Sequence, residues 1–184
     1  SDDWRDKNKL LILRKYLNDS NDLIYHRLKI IKNINDSKVF LGYLKSRQLQ
    51  KPIFKNLLLH GNVINNSSVI VRKSILDKIG GISENSDYIF AEDYHTWLKI
   101  SEHTEKFCFV REALGYYLIH EENYQRIDMS IPTKKVISEF SNKIDNVLYK
   151  FVNANLTYMS ARYDFMNKNY NNSIKKLSIT IFYS

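Results

Sequence analysis

Two adjacent carboxylates, Glu92 and Asp93, stand directly before an aromatic and apolar run in FAEDYHTWLKIS, residues 90–101. A carboxylate can act as the general base that removes a proton from a reacting hydroxyl. The structural alternative is a helix start, because acidic side chains in the first turn interact favourably with the helix dipole and often serve as caps. The aromatic residues that follow favour a pair of acids at the lip of a pocket.

A second acidic pair, Asp2 and Asp3, lies in the opening segment SDDW. Adjacent carboxylates suit a hard divalent cation such as Mg²⁺ or Mn²⁺, which prefers oxygen ligands and also binds phosphates. The alternative for this pair is a solvated terminal segment. His120 follows the apolar stretch LGYYLI, where a histidine can bind a metal ion or a phosphate, or simply be a hydrogen-bonded residue.

Polar side chains are concentrated in HGNVINNSSVIVRKS, residues 60–74, where they can hydrogen-bond a sugar or a phosphate. The alternative is a polar loop that leads into the following β-branched run. The candidate substrate-binding residues in this stretch are His60, Asn65, Ser67 and Ser68.

Strands and helices alternate in the part of the chain that carries these residues. LIYHRLKIIK, residues 23–32, alternates as a strand does, with a helix as the alternative. Val69–Val71 form a short β-branched strand, and KSILDKIGG after it predicts a helix that ends at two glycines. A further helix is predicted to begin at the acidic pair. Its buried face would consist of Tyr94, Trp97, Leu98 and Ile100.

Helices are predicted for most of the remaining chain. Leucines at helical spacing predict a helix in DKNKLLILRKYL, residues 6–17, and residues 39–59 have helical and loop character. KFCFV and ALGYYLIH are two strand candidates. Residues 131–152 carry the most regular apolar stripe, with Pro132 in the first turn of one long helix. That stripe consists of Val136, Ile137, Phe140, Ile144, Val147, Leu148 and Phe151.

Two shorter helices are expected around residues 155–167 and 171–182, with NKNYNN between them. The pair resembles a helical hairpin of the tetratricopeptide kind, although one unit does not make a repeat array. Its packing positions would be Tyr158, Ala161, Tyr163, Tyr170 and Ile174. Residues 127–184 are therefore predicted to form a helical tail packed on the first part.

The chain is basic, with a formal net charge of +8. Residues 126–184 hold nine Lys and Arg against four Asp and Glu, and so contribute +5 of this charge. Such a surface favours an anionic partner: nucleic acid, an anionic membrane surface or a phosphorylated substrate. No helix-turn-helix, RNP-type or zinc-finger pattern accompanies the charge, which argues against nucleic acid.

Cys108 is the only cysteine, so no disulfide can form within the chain, and a reducing compartment fits best. No stretch approaches the roughly 18 apolar residues of a membrane span. We therefore predict a cytoplasmic protein that the basic tail can hold at the inner face of a membrane.

The order of these motifs is similar to that of the family 2 glycosyltransferases of the GT-A fold. The motifs are SDDW, NSSVIVRKSxLxxIGG, EDYxxWL and LxYYxxH, and the resemblance covers residues 1 to about 125. It implies transfer of a sugar from a nucleotide-sugar donor to a hydroxyl of a glycan or lipid-linked acceptor. It also implies inversion of the anomeric centre and a role in surface polysaccharide biosynthesis.

The resemblance further implies a Mn²⁺ or Mg²⁺ ion on the diphosphate of the donor. Asp2 matches the metal ligand of the family, Asp3 is a close second, and His120 matches a histidine that approaches the metal and the diphosphate. The family often has an arginine in a YRxH pattern, and Leu118 holds that place here.

The same resemblance assigns the base to Asp93, with Glu92 beside it, and makes Trp97 the aromatic residue that packs behind the pair at the substrate site. The expected fold is α/β. Residues 1–126 would be the acceptor-side half of a GT-A domain, and residues 127–184 an α-helical tail. The nucleotide-binding first half of the family has no counterpart, and the opening SDDW looks like the middle of a longer protein. We therefore expect self-association, or association with the missing half.

Two other functional classes stay open. The first is a non-enzymatic helical interaction module in which residues 127–184 bind a partner. The second, less favoured, is a basic nucleic-acid-binding protein, for which binding would be strongly salt-sensitive and no sugar would be transferred.

Overall fold

A mixed β-sheet lies at the centre of the computed structural model, which describes residues 4–34, 37–119 and 127–181. Strand β2 lies in the middle of it. One edge of β2 pairs in parallel with β5, and the other pairs antiparallel with β4 and then with β3, while β1 pairs antiparallel with the far edge of β5. The five strands in these ranges are β1 (Trp4–Arg5), β2 (Leu23–Ile34), β3 (Ser37–Tyr43), β4 (Val69–Val71) and β5 (Phe107–Ile119).

Helices cover the two faces of this sheet unequally. Helices α2, α3, α4, α5 and α6 supply apolar side chains on one face, whereas in the described ranges the short α1 and the turn after it, through Tyr16, pack on the other. The architecture is therefore α/β. In the described ranges the helices are α1 (Lys9–Leu13), α2 (Ile53–His60), α3 (Lys73–Lys78), α4 (Glu92–Ser101), α5 (Ser130–Glu139), α6 (Asn146–Met166) and α7 (Tyr170–Ile181).

The alternation in β2 decides which side chain joins which core. Leu23 and Tyr25 belong to the main core beneath α2 and α4, while Ile24 joins a smaller cluster with Leu13 of α1 and Leu114 of β5. Successive side chains of a strand point to opposite faces, so this division follows directly from the sequence. The strand prediction for residues 23–32 is confirmed, and its helical alternative is wrong.

Two strand predictions need correction. KFCFV and ALGYYLIH do not form separate strands, because β5 runs without interruption from Phe107 to Ile119. β3 occupies residues that were expected to be helical or loop-like. Its residues 38–41 and 43 are exposed, so this edge strand lacks the apolar–polar alternation that identifies a half-buried strand.

Helix α4 is anchored by the four residues predicted for its inner face, all of which are buried. Tyr94 Oη donates to the carbonyl of Leu57 at 3.0 Å, and Trp97 Nε1 donates to the carbonyl of Ile64 at 3.3 Å. These bonds tie the helix to α2 and to the loop after α2. The predicted start of the helix at the acidic pair is confirmed.

The long helix predicted for residues 131–152 is wrong, because the chain breaks into α5 and α6. Asp145 caps the second helix, and its side chain accepts from the backbone N–H of Leu148 at 2.7 Å. Such a cap satisfies a backbone donor that a continuous helix would pair differently. Val147 and Phe151 of the expected apolar stripe are consequently exposed.

Two further helix predictions hold only in part. In the hairpin of α6 and α7, Ala161 is buried as expected, but Tyr158, Tyr170 and Ile174 are exposed. The first of these helices also begins well before residue 155. The early helix is much shorter than residues 6–17. Among its leucines Leu13 is buried, whereas Leu10, Leu11 and Leu17 are exposed.

Candidate functional site

Asp93 lies in the first turn of α4, where both of its carboxylate oxygens are bonded. Asn62 Nδ2 donates to Oδ2 at 3.1 Å, and the backbone N–H of Tyr94 donates to Oδ1 at 2.6 Å. Burial raises the pKa of the Asp93 carboxyl and Glu92 adds to this rise, while the two hydrogen bonds act in the opposite direction. The net direction is upward, which makes this carboxylate a stronger proton acceptor than an ordinary aspartate.

Glu92 carries a buried carboxylate oxygen. Its Oε2 has no hydrogen-bond partner in residues 4–34, 37–119 and 127–181. A buried acceptor without a partner is costly, so it is suited to receive a donor from an incoming ligand. The backbone carbonyl of Glu92 accepts from Thr96 Oγ1 at 2.7 Å, which fixes the first turn of the helix.

The loop after α2 reaches the acidic pair through Asn62. Gly61 has a φ of +72°, a left-handed value that favours glycine, and it turns the chain at the end of α2. Asn62 Oδ1 accepts from the backbone N–H of Ile64 at 3.1 Å. The amide group is therefore fixed by its own loop while its Nδ2 bonds Asp93.

The predicted substrate-binding residues follow this loop but differ in exposure. His60 is exposed, Asn65 and Ser67 are half-buried, and Ser68 is buried. Ser68 Oγ donates to the carbonyl of Asn65 at 2.6 Å, and the Ser67 carbonyl accepts from Lys9 Nζ at 3.1 Å. The Ser68 hydroxyl thus shapes the loop, whereas the His60 side chain is open to solvent.

Positive charge surrounds the start of this loop. The pKa of His60 is lowered by partial burial and by the nearby cations Arg47 and Lys45. Arg47 Nη2 donates to Asn56 Oδ1 at 3.3 Å, and Asn65 Nδ2 donates to the carbonyl of Lys45 at 3.4 Å. These cations form a cationic rim at the start of the loop, which suits an anionic group on a ligand.

The segment directly before α4 has a strained backbone. Phe90 has a φ of +73°, in a region that bulky residues seldom occupy. Its side chain is 56% exposed, and that of Ile89 is exposed beside it. Strained residues and exposed apolar side chains both concentrate at binding sites. The acidic pair therefore follows two exposed apolar residues, and we call Ile89 and Phe90 the apolar lip.

The structure brings Glu92, Asp93 and Trp97 together with the loop of residues 60–68. Trp97 is buried, and its Nε1 donates to the carbonyl of Ile64 in that loop. Asp2, Asp3 and His120 lie outside the described residues. Within the described ranges, no three His, Cys, Asp or Glu side chains form a group that could hold a metal ion.

Sequence reasoning missed two residues of this site, Asn62 and Phe90. The contact of Asn62 with Asp93 spans 31 residues, and no local pattern predicts such a pairing. The glycine before Asn62 was the available signal, because Gly-Asn after an apolar helix marks a sharp turn whose side chain can face a neighbouring element. Phe90 had no comparable signal.

None of the described helices is both long and apolar enough to cross a membrane. No protein-family model matches the chain, and no curated protein matches it.

Proposed function

We propose that the chain is the acceptor-side half of a GT-A glycosyltransferase domain, with Asp93 as its general base. The observation that carries the proposal is the carboxylate of Asp93 itself. Its pKa is raised, Asn62 fixes its position, the exposed Ile89 and Phe90 precede its helix, and the loop that carries Asn62 begins at His60 near two cations. An apolar lip suits the ring of a sugar, and the cations suit an anionic group on either substrate.

In this reaction Asp93 takes the proton of an acceptor hydroxyl as its oxygen attacks the anomeric carbon of a nucleotide-sugar. The bond from that carbon to the nucleoside diphosphate breaks in the same step, so the anomeric centre is inverted. The buried Oε2 of Glu92 supports this role, since it can accept from a second hydroxyl and orient the acceptor.

A Mn²⁺ or Mg²⁺ ion held by Asp2, Asp3 and His120 would neutralise charge on the departing diphosphate. Asp3 precedes Trp4 and His120 follows Ile119 in the sequence.

The test is sugar transfer by the whole enzyme, measured with a panel of nucleotide-sugars and glycan or lipid-linked acceptors. Asp93→Asn should reduce transfer by about 10²–10⁴-fold with donor binding retained, because the amide keeps the shape but cannot accept a proton. Glu92→Gln is the matched control and should cost much less. Transfer by Asp93→Asn within about threefold of wild type would remove the base role, and a large loss in Glu92→Gln alone would move that role to Glu92.

We further propose a cytoplasmic location at the inner face of a membrane, with surface polysaccharide biosynthesis as the setting. The support is the +5 charge of residues 126–184, which is attracted to anionic lipid. Sedimentation with anionic and with neutral vesicles tests it, since only the anionic ones should retain the protein at low salt.

A helical interaction module is the second candidate, and one observation favours it. Helices α6 and α7 expose large apolar side chains that a partner could cover. These are Val147, Tyr149, Phe151, Tyr158, Phe165, Tyr170 and Ile174. Loss of a bound partner in Tyr149→Ala and Phe165→Ala, with no sugar transfer by the unmodified protein, would favour this class.

A further inference from the structure

The outer half of the sheet carries a groove that the site around Asp93 does not use. Its volume is about 590 Å³, and Ile31 lies buried beneath it. Its walls are mainly aromatic and basic, and they include Trp4, Phe40, Tyr43, Tyr116, Lys29 and Lys38. We propose that this groove binds an acidic sugar chain, a ligand class that rests on the proposed function.

The strand register aligns four of these residues in one row across the sheet. Trp4 lies opposite Tyr116, Tyr116 opposite Lys29, and Lys29 opposite Tyr43. The row crosses four strands and so spans roughly 14 Å, since neighbouring strands lie about 4.8 Å apart. This length suits an extended chain of several sugar rings better than a single small molecule.

Two cations lie among the aromatic rings. Lys38 Nζ is 3.3 Å from the centre of the Trp4 ring, and Lys29 Nζ is 5.5 Å from that of Tyr116. In the part of the chain that the structure describes, neither ammonium group forms an ion pair with a carboxylate. A carboxylate on a ligand can therefore pair with them while the sugar rings pack against exposed aromatic surface.

The same features fit a nucleic acid strand or a membrane less well. Bases stack on free ring faces and need a track of phosphate contacts, whereas Lys29 and Lys38 are the two cations among the described residues that line the groove. Phe40 and Tyr43 contact each other at 5.3 Å with their rings inclined at 70°, which leaves no continuous stacking platform. A flat bilayer surface would contact the rim of a groove rather than its floor.

Binding can be followed through tryptophan fluorescence, because the chain has only two tryptophans. Trp97 is buried, whereas Trp4 is 44% exposed in the groove, so a ligand should shield Trp4 from a soluble quencher. The probes are oligosaccharides of hyaluronan, polygalacturonate and polysialate. Matched controls are the same chains with their carboxyl groups reduced to alcohols, together with oligouridylate and anionic vesicles.

We expect at least one acidic oligosaccharide to bind, and its carboxyl-reduced form to bind about tenfold more weakly. Lys29→Gln with Lys38→Gln should abolish this preference for the acidic form, and Phe40→Ala, which removes an exposed ring of the groove but keeps the Trp4 reporter, should weaken binding about tenfold. Ile82→Ala, at an exposed apolar residue outside the groove, is the control and should leave binding unchanged. Circular dichroism confirms that each variant is folded.

Equal binding of acidic and reduced chains, or shielding of Trp4 by oligouridylate or vesicles but by none of the acidic chains, would overturn the proposal. No shielding by any probe would do the same. Asp93→Asn separates this proposal from the proposed function, because it should abolish transfer without affecting the groove. Acidic chains that bind to a protein without transfer activity would support the groove and refute the enzyme.

Discussion

Asn62 connects the proposed base to the loop after α2, and its bond to Asp93 favours the charged carboxylate. Asn62→Ala should therefore raise the pKa of Asp93 further. A base with a higher pKa is protonated at higher pH, so the acid limb of the pH profile of kcat/KM should move upward. Transfer at the acid side should fall by about three- to tenfold, the equivalent of one lost hydrogen bond.

Asn66→Ala, at an exposed position of the same loop, is the control for this experiment. This variant should keep full activity, and the acid limb of its pH profile should stay at the same pH. An equal loss of activity at all pH values in Asn62→Ala would show that Asn62 supports only the fold of the loop.

His26 is a buried residue whose titration should affect stability. Its Nδ1 lies 2.7 Å from the carbonyl of Arg27, and burial lowers its pKa to about 4, which the Arg27 bond partly opposes. In the unfolded chain this histidine has an ordinary pKa near 6.5. Between pH 6.5 and about 4 it is therefore protonated in the unfolded chain but neutral in the folded protein. The free energy of unfolding should fall as the pH drops from about 6.5 to 4, by roughly 3 kcal/mol in total.

Urea unfolding at pH 7, 6 and 5 measures this dependence before most carboxylates titrate. His26→Gln should flatten the decline, and His103→Gln, at an exposed histidine, should leave it as steep as in the unmodified protein. Parallel curves for all three proteins would show that other groups cause the pH dependence.

At the scale of elements, β1 is held against β5 at a glycine. A Cβ atom at position 115 would lie 2.9 Å from Leu28 Cδ2 and 3.0 Å from the carbonyl oxygen of Trp4. Because this carbonyl belongs to the backbone of β1, the close contact can be relieved only if the whole strand moves. Gly115→Ala should destabilise the protein by about 1–3 kcal/mol, as overpacking does. Urea unfolding measures the loss, and an unchanged midpoint would show that β1 shifts freely.

Local pattern was sufficient for some elements and insufficient for others. β2 and the start of α4 were predictable, because alternation favours a strand in the first and an acidic pair before apolar residues favours a helix start in the second. The break between α5 and α6 was not, since apolar residues on both sides of it keep helical spacing. The side chain of Asp145 decides in favour of two helices there, by capping the second.

The candidate site was predictable only residue by residue. The acids and Trp97 lie within one helix, so their spacing predicts that they share a region. The contacts that make Asp93 a candidate base come from Asn62 in a separate loop, and its pKa depends on burial by distant elements. Neither the contact with Asn62 nor the pKa of Asp93 can be read from a short stretch of sequence.

At the scale of the whole molecule, the α1 side of the sheet is incompletely covered. Among the described residues, the five-residue α1 and Tyr16 pack there, and Leu10 and Leu11 of α1 are 70% and 71% exposed. We expect self-association that increases with concentration, because apolar surface of this kind is removed from water by pairing. Leu10→Lys with Leu11→Lys should reduce the mass measured by light scattering.

The matched control is Val147→Lys, an exposed apolar position on α6. It should leave the mass unchanged if the α1 side is the surface that associates. A monodisperse monomer at all concentrations, or dissociation only by the α6 variant, would contradict this assignment.

The unequal burial along β2 has a consequence for motion. Residues 23–26 are buried between helices on one face and α1 on the other, while the strand ends beside β3, whose residues 38–41 and 43 are exposed. Backbone amides near Leu23 should exchange with deuterium only when the whole protein unfolds, whereas those near Lys32 should exchange through local opening. The half of the sheet near Leu23 would then be rigid and hold Asp93 in place. The half near Lys32 would open locally and could adjust to a bound ligand.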